Sequence, residues 1–305
     1  MRPLGFAIKE WMEVYKKNEV KESTYNRLQL SYRLMLNYGI CNLAVASVRT
    51  TDVQRYINKL VAAGYARTTI LKQYRLLTAY YTFAAREQLI DISPVMSVTL
   101  PKEAVVLKKK KQVEAYTVPQ QKALLQILDT GQHREYDVAV FMLETGARIG
   151  ETLALTWNDI DWNRNAVRIS KTVIRLRGGK WKVQSSPKSE SSNRTIPLSK
   201  RALAIMRRLY DSTDDPDGYI FTDEHHEILT YNAVHYHVKK VCEMAKVPYL
   251  GTHVFRHTFA TNCYHRGCDV KLLSKMLGHA SAAITYNVYI HLYGDALEDM
   301  RNIVG

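Results

Sequence analysis

The sequence has few cysteines and lacks long hydrophobic runs. Its longest apolar run, Val138–Leu143, is far shorter than the roughly 20 residues of a membrane-spanning helix. Residues 1–10 also lack the apolar core of a signal peptide. No CxxC pair is present to suggest a zinc site among the four cysteines, which are Cys41, Cys242, Cys263 and Cys268. We therefore expect reduced thiols, a cytosolic location and no membrane partner.

Positive charge, by contrast, is abundant. The formal net charge of the 305 residues is +14. Residues 1–115 contain 19 lysines and arginines against 9 aspartates and glutamates, so the N-terminal third is the more basic part. An excess of this kind is typical of proteins that bind nucleic acid or another polyanion. The ordinary composition otherwise, 46% hydrophobic and 24% charged, indicates folded domains rather than disorder.

The hydrophobic pattern predicts two domains joined by a basic linker. Residues 1–100 are expected to form a bundle of about four helices. One of these is marked by an apolar face at residues 53–60, with Thr51 as its N-cap and Gly64 as its stop. A linker is predicted at 101–116, where four lysines are suited to following a phosphate backbone or to forming a solvated hinge: Lys108, Lys109, Lys110 and Lys111.

The second predicted domain, residues 117–305, is mainly helical with a small antiparallel sheet. Thr117 followed by Gln120 is typical of a capping box, which places a helix start there. Alternating apolar residues predict strands within residues 166–198, with a turn at Gly178-Gly179. Helices are expected to resume from Lys200 to the end.

Three segments contain residues suited to phosphate chemistry. In the first, residues 145–151, Gly146 is a natural helix stop, with Arg148 and Glu151 close behind it. The second contains two histidines and an arginine within five residues: His253, Arg256 and His257. An arginine fork with an imidazole suits phosphate better than a metal, because no cysteine or carboxylate lies at a ligand spacing from this segment.

The third segment is Leu277-Gly278-His279, with Tyr289 ten residues after the histidine. Gly278 is predicted to end a helix and to leave His279 at its C-terminus. Tyr286 and Tyr293 are rivals to Tyr289, and any one of the chain's 20 tyrosines is more often structural than nucleophilic.

Together, these segments resemble the tyrosine recombinase, or phage integrase, family. The motifs of that family are an arginine within TGxRxxE, a lysine in a β-hairpin turn, HxxRH, LGH, and a tyrosine nine or ten residues later. They correspond here to Arg148 with Glu151, Lys188, His253 with Arg256 and His257, Leu277-Gly278-His279, and Tyr289. The strongest resemblance covers residues 117–293, and five weak motifs in the right order are specific. Residues 1–100 look like the SAM-like core-DNA-binding domain of the family.

The resemblance implies a site-specific recombinase with a catalytic domain of the DNA breaking-rejoining fold. Tyr289 would attack the scissile phosphorus to give a 3′-phosphotyrosyl bond and a free 5′-hydroxyl. Arg148 and Arg256 would bind the non-bridging oxygens. No metal, ATP or other cofactor is implied, so activity is expected in EDTA.

The same resemblance assigns the proton transfers and the supporting residues. Lys188 would protonate the departing 5′ oxygen, although Lys180 and Lys182 are rivals in the same hairpin region. His253 would accept the tyrosine proton and His279 would bind the phosphate. Supporting roles fall to Glu151, which would orient the cluster, and to His257.

The partners implied are double-stranded DNA carrying recombination sites, further copies of the chain, and accessory DNA-bending proteins. A monomer in solution would assemble into a homo-tetramer on DNA and react through a Holliday junction. The apolar edge of residues 297–303 is suited to docking either on a neighbouring subunit or on its own domain. The sequence leaves open whether an arm-binding domain precedes the helical bundle.

Three other functions are compatible with parts of this pattern. A type IB topoisomerase shares the chemistry but relaxes DNA as a monomer. A catalytically silent DNA-binding protein would not need the full set of catalytic residues. A metal-dependent nuclease would need a carboxylate cluster, which the sequence motifs do not provide.

Overall fold

The structure is a computed structural model that describes residues 2–102, 115–175, 181–184, 193–279 and 281–289. The described residues up to 102 form one compact unit, the N-terminal unit. Those from 115 to 174 and from 181 onward form a second, the C-terminal unit. Each unit has its own buried hydrophobic core.

The N-terminal unit is helical. Its helices are α1 (Leu4–Trp11), which continues through a π-helical segment (Met12–Lys16) into α2 (Lys17–Glu19), α3 (Glu22–Leu36), α4 (Thr50–Ala62) and α5 (Arg67–Arg86). The predicted apolar face of residues 53–60 is buried, and Gly64 ends the turn after α4 with φ +74°. The predicted cap at Thr51 is wrong. The helix begins at Thr50, because Asp52 Oδ2 accepts a hydrogen bond from the Arg49 backbone N–H at 3.0 Å.

In the C-terminal unit, helices and short strands surround one largely buried helix. In chain order it contains α6 (Val118–Leu128), α7 (Arg134–Thr145), α8 (Ile149–Leu153), β1 (Ile160–Asp161), β2 (Ala166–Ile169), β3 (Thr172–Arg175), β4 (Trp181–Gln184), β5 (Arg194–Pro197), α9 (Lys200–Asp211), α10 (Tyr231–Met244), α11 (His253–His265), α12 (Val270–Leu277) and α13 (Ala282–Tyr289). Helix α7 has nine buried residues among its twelve and packs against α9, α10 and α11.

The start of α6 has the predicted capping box. The Gln120 backbone N–H donates to Thr117 Oγ1 at 3.4 Å, and Gln120 Oε1 accepts from the Thr117 backbone N–H at 2.9 Å. Two of the orphan donors at the helix start are thereby satisfied.

The strands form two small sheets instead of the single sheet that the sequence suggested. Strands β1, β2 and β5 make an antiparallel sheet in that order, with Val167 opposite both Ile160 and Ile196. Strands β3 and β4 pair separately. Packing explains the split. Val167 and Ile196 bury their side chains in the core, whereas the Trp181 ring of β4 stacks on Tyr231 of α10 at 4.8 Å between ring centroids.

The predicted fold class, mainly α with a small antiparallel β component, is confirmed, although that component is divided into two sheets. Across the described ranges, no helix combines the length and the apolar character needed to cross a membrane.

Candidate active site

A glycine turn at the end of α7 places the first arginine of the site. Gly146 ends α7 with φ +67°, a left-handed conformation that glycine adopts without steric cost. Arg148 then occupies the N-cap position of α8. Its Nη1 donates to Glu151 Oε1 at 2.7 Å, and its backbone N–H donates to Glu151 Oε2 at 2.9 Å. The Arg148 side chain is 38% exposed, so it is fixed by Glu151 yet accessible to a ligand.

Glu151 is held by a second arginine, Arg194, at the start of β5. Arg194 Nη2 donates to Glu151 Oε2 at 2.8 Å and Nη1 to Oε1 at 3.2 Å, while Nε donates to the Met276 carbonyl at 2.6 Å. Burial raises the pKa of the Glu151 carboxyl, but the hydrogen bonds and charge of Arg194, together with Arg148, outweigh burial and lower that pKa to about 2. The carboxylate is therefore ionised at neutral pH and orients two guanidinium groups.

Helix α11 places Arg256 and His253 one turn apart. Arg256 is 1% exposed, and it donates through Nη1 to the Gly146 carbonyl at 2.9 Å and through Nη2 to the Leu277 carbonyl at 2.5 Å. These acceptors are the carbonyls at the ends of α7 and α12, so Arg256 ties together both helix ends that precede site residues.

The rings of His253 and His257 lie nearly perpendicular, with 4.7 Å between ring centroids. Although the side chain of His253 reaches solvent, partial burial and the charges of Arg256 and Arg148 lower its pKa from the ordinary 6.5. Its imidazole is therefore neutral at pH 7 and can accept a proton.

Helix α12 ends as predicted at Gly278, which has φ +65°, and His279 follows it. Burial and the charges of Arg256, Arg148, Arg194 and His253 lower the pKa of His279 to about 4. His279 Nδ1 lies 2.7 Å from the Thr285 hydroxyl, which is 1% exposed in the first turns of α13. This contact ties the start of α13 to the site.

Tyr289 is the last residue of α13, one helical turn after Thr285. Tyr286 lies on the same helix and is 47% exposed. The Tyr289 side chain lies outside the described part of the structure, as do Lys188, its rival Lys180, Tyr293 and the lysines at 108–111. The remaining rival, Lys182, is an exposed residue of β4.

The arrangement concentrates positive charge that is fixed by hydrogen bonds. The charges of Arg148, Arg256 and Arg194 all act on His279, and Glu151 is the carboxylate that compensates them. In the described chain, no metal-ligating cluster includes a residue of this site. Guanidinium groups held in this way are suited to an oxyanion that gains charge during a reaction.

A groove of about 680 Å³ opens beside His279 and Arg194. Two exposed lysines of α12, Lys271 and Lys275, line it. Its cationic lining extends the positive surface beyond the arginines of the candidate site and suits a polyanion.

Two residues of the site were missed by sequence reasoning. Arg194 was considered only as part of the strand that follows the hairpin, yet the buried-exposed alternation of β5 turns its side chain inward. An arginine at an inward strand position signals a buried partner, which is Glu151. Thr285 had no comparable signal, because its contact with His279 depends on how α13 packs against α12.

Replacing Gly146 by alanine tests the turn that places Arg148. A Cβ at Gly146 would lie 2.4 Å from Phe259 Cδ1 and 3.0 Å from Leu277 Cδ2, in a backbone conformation that disfavours side chains. We expect Gly146→Ala to destabilise the protein by about 3 kcal/mol. Chemical denaturation measures this loss.

Gly267→Ala is the matched control, because Gly267 also has a positive φ (+79°) but nothing lies within 4 Å of the added Cβ. It should lose only about 1 kcal/mol, from backbone strain. Equal losses of stability in the two variants would contradict the proposed packing at Gly146.

Comparisons with known proteins show the family to which the chain belongs. The sequence profile of the Phage integrase family matches residues 114–295, and that of the Phage integrase N-terminal SAM-like domain matches residues 4–61. A tyrosine recombinase XerC-like protein of Caldanaerobacter subterraneus subsp. tengcongensis is 26% identical over 95% of this chain and 79% of its own length.

Two solved structures show the same fold. The integrase of transposon Tn1549, solved with a circular intermediate DNA, has a TM-score of 0.83 and 20% identity, over 99% of this chain and 100% of that one. A lambda integrase, solved as a tetramer bound to a Holliday junction, has a TM-score of 0.66 and 14% identity, over 93% of this chain and 77% of that one. With the profile matching more than half of its residues, the chain belongs to the phage integrase family and is a tyrosine recombinase.

Proposed function

We propose that this chain is a site-specific recombinase that breaks and rejoins duplex DNA through a covalent bond between DNA and Tyr289. One observation carries the proposal. Arg148, Arg256, His253 and His279 come from three segments of the chain and act electrostatically on one another, and the helix packed beside them ends at Tyr289. A phosphodiester placed among these groups would lie close to the end of that helix.

The arginines would stabilise the charge that builds on the phosphate. Tyrosine has an ordinary pKa near 10, so its phenol needs nearby positive charge and a proton acceptor in order to attack phosphorus. Arg148 is accessible and held by Glu151, which suits direct binding of a non-bridging oxygen. Arg256, like Arg148, acts on His253 and His279. Its hydrogen bonds to the carbonyls of Gly146 and Leu277 also fix the turns at those two residues. Fixed guanidinium groups need little reorganisation when the pentacovalent transition state forms.

The neutral histidines suit proton transfer at physiological pH. His253 would take the proton from the attacking phenol, since partial burial and the two neighbouring arginines lower its pKa and keep its imidazole unprotonated. His279, whose Nδ1 is engaged by Thr285, would offer its other ring nitrogen to the phosphate. We assign protonation of the departing 5′ oxygen to Lys188 on motif position, and a supporting role to His257.

Breaking and rejoining without an energy source requires that the energy of the phosphodiester be kept. A 3′-phosphotyrosyl bond keeps it: the 5′-hydroxyl released in the first step attacks that bond in the second and expels the phenol. A hydroxyl from a second duplex would yield a recombinant strand. Such an exchange requires several copies of the chain, and the lambda integrase tetramer on a Holliday junction supports a tetramer for this chain too.

Duplex DNA would be bound mostly through its phosphates. The basic groove beside His279 and the lysines at 108–111 are the proposed contacts, so affinity should fall steeply with salt. We propose that residues 1–100 bind the core site, that 101–116 link the domains and that 117–305 carry catalysis. The bacterial relatives support a cytoplasmic location.

The decisive experiment looks for a covalent adduct in EDTA. Duplex sites selected from a random pool by binding to the chain are nicked so that cleavage cannot reverse, and then incubated with the full-length protein. We expect a protein–DNA adduct on a denaturing gel, and mass spectrometry should place the nucleotide on Tyr289. A plasmid carrying two such sites should also recombine.

The other outcomes point to different functions. Binding without an adduct would indicate a catalytically silent DNA-binding protein. Cleavage that leaves no adduct and stops in EDTA would indicate a metal-dependent nuclease. An adduct with plasmid relaxation but no exchange between two sites would indicate a type IB topoisomerase.

A further inference from the structure

A second cluster of reactive side chains lies at the opposite end of α7 from Gly146. His133 occupies the N-cap position of α7, Glu135 lies in its first turn, and His237 faces them from α10. One ligand atom from each residue lies within 4.8 Å of the other two. Because α7 has 12 residues, its two ends are about 18 Å apart, so this cluster is separate from the catalytic groups.

The contacts within the cluster leave its carboxylate open to a cation. His237 Nε2 is 3.9 Å from Glu135 Oε1, which is too long for a hydrogen bond. The Glu135 side chain is 13% exposed, and in the described chain its oxygens are not among the buried polar atoms that lack a partner, so solvent reaches them. A metal ion that entered the cluster would replace this water and would meet a negative charge.

The geometry points to a metal site: we propose that His133, Glu135 and His237 bind a zinc ion that ties α7 to α10. Two imidazoles and one carboxylate form a donor set that zinc commonly takes from proteins, with a fourth position left for water. Tetrahedral zinc holds its donor atoms about 3.3 Å apart. Small side-chain rotations would bring the present separations of the ligand atoms, which are all within 4.8 Å, to that value.

The donor chemistry also selects the class of metal. Magnesium and calcium prefer oxygen ligands, and magnesium retains most of its water. Imidazole nitrogen favours the later transition metals, so zinc, cobalt and nickel should bind and magnesium should not.

Two features oppose a cation here, and Glu135 offsets them. The N-terminus of α7 carries partial positive charge, and Arg134 lies next to the cluster in sequence. Arg134 Nη1, however, donates to the Thr222 carbonyl at 3.2 Å, which engages that guanidinium with another segment. The negative charge of Glu135 lies among the ligands themselves.

The site would stabilise the fold without entering the reaction. Helix α7 ends at the turn whose carbonyl fixes Arg256, so a metal that ties the start of α7 to α10 supports the scaffold from its far end. Strand exchange would therefore continue in EDTA, and only thermal stability would fall.

The test measures zinc binding by the reduced, full-length protein. Competition with a chromogenic zinc chelator should reveal one bound equivalent. The thermal midpoint should rise by about 5 °C or more at a hundredfold excess over Kd, and magnesium should not raise it. Cobalt should give visible absorption bands without the near-ultraviolet band of a cobalt–thiolate bond, which separates this site from the cysteines.

His133→Asn is the sharpest variant, because asparagine is a favoured N-cap residue and should preserve or raise stability without metal. We expect it and His237→Gln to weaken zinc binding at least tenfold. His225→Gln is the control, since His225 is 3.6 Å from Glu224 in an exposed ion pair. Zinc affinity unchanged in His133→Asn and His237→Gln, or a cobalt–thiolate band, would overturn the proposal.

Discussion

Tyr289→Phe is expected to reduce covalent adduct formation by roughly 10⁴-fold or more, to the background of the assay, because it removes the phenolic oxygen proposed to form the ester. The variant keeps the aromatic ring, so the fold and DNA binding should persist. The measurement is adduct yield against time on a nicked duplex, with binding followed separately by electrophoretic mobility shift.

Tyr286→Phe is the matched control, one turn earlier on the same helix. Helix register separates the two positions. Position 289 lies one turn after Thr285, which faces the site through His279, whereas Tyr286 is 47% exposed. We expect Tyr286→Phe to retain most of the adduct. If Tyr289→Phe forms the adduct and Tyr286→Phe does not, the nucleophile has been assigned to the wrong tyrosine.

The parts of the site that could be predicted from sequence are those fixed by local geometry. Glycine readily adopts the left-handed conformation that ends many helices, so the stops at Gly146 and Gly278 could be predicted from the sequence. The spacing from His253 to Arg256 is one helical turn, which puts both on adjacent positions of α11. The places of Arg148 and His279 could then be predicted too, because each residue comes just after one of these helix stops.

What could not be predicted depends on contacts between distant segments. Glu151 was expected to orient the site, but its strongest partner, Arg194, is 43 residues away. The division into two sheets depends on β5 pairing with β2 through the buried Val167 and Ile196, a choice that alternation alone does not determine. The N-cap of α4 is Arg49 instead of the predicted Thr51, because the Asp52 side chain accepts a hydrogen bond from the Arg49 backbone N–H.

The strongest structural effect is expected at the buried pair of Glu151 and Arg194. Their side chains are only 7% and 5% exposed. Glu151→Leu should destabilise the C-terminal unit by about 3–5 kcal/mol, because it leaves the Arg194 charge buried without its partner. Urea unfolding followed by tryptophan fluorescence reports on this unit, which contains Trp157, Trp162 and Trp181.

A double variant at Glu151 and Arg194 separates the effect of this pair on stability from its effect on catalysis. The double variant Glu151→Leu with Arg194→Met removes both charges, so its loss of stability should be smaller than the sum of the single losses by about 2 kcal/mol. DNA cleavage should stay impaired even where stability returns, because Arg148 then lacks the carboxylate that orients it. Additive losses of stability, or full cleavage in the double variant, would contradict this role for Glu151.

Acid pH gives an independent measure of the same pair. The pKa of Glu151 falls from an ordinary 4.5 in the unfolded chain to about 2 in the fold, so the folded state favours the ionised form. The stabilisation, roughly 3 kcal/mol, is therefore fully present above pH 4.5 and is lost as pH falls toward 2. Glu151→Gln should abolish that part of the pH dependence. The unfolding free energies of the variant and the unmodified chain should therefore converge as the pH is lowered. Parallel curves for the two proteins between pH 5 and pH 2 would mean that the carboxylate is not held by Arg194 in the folded protein.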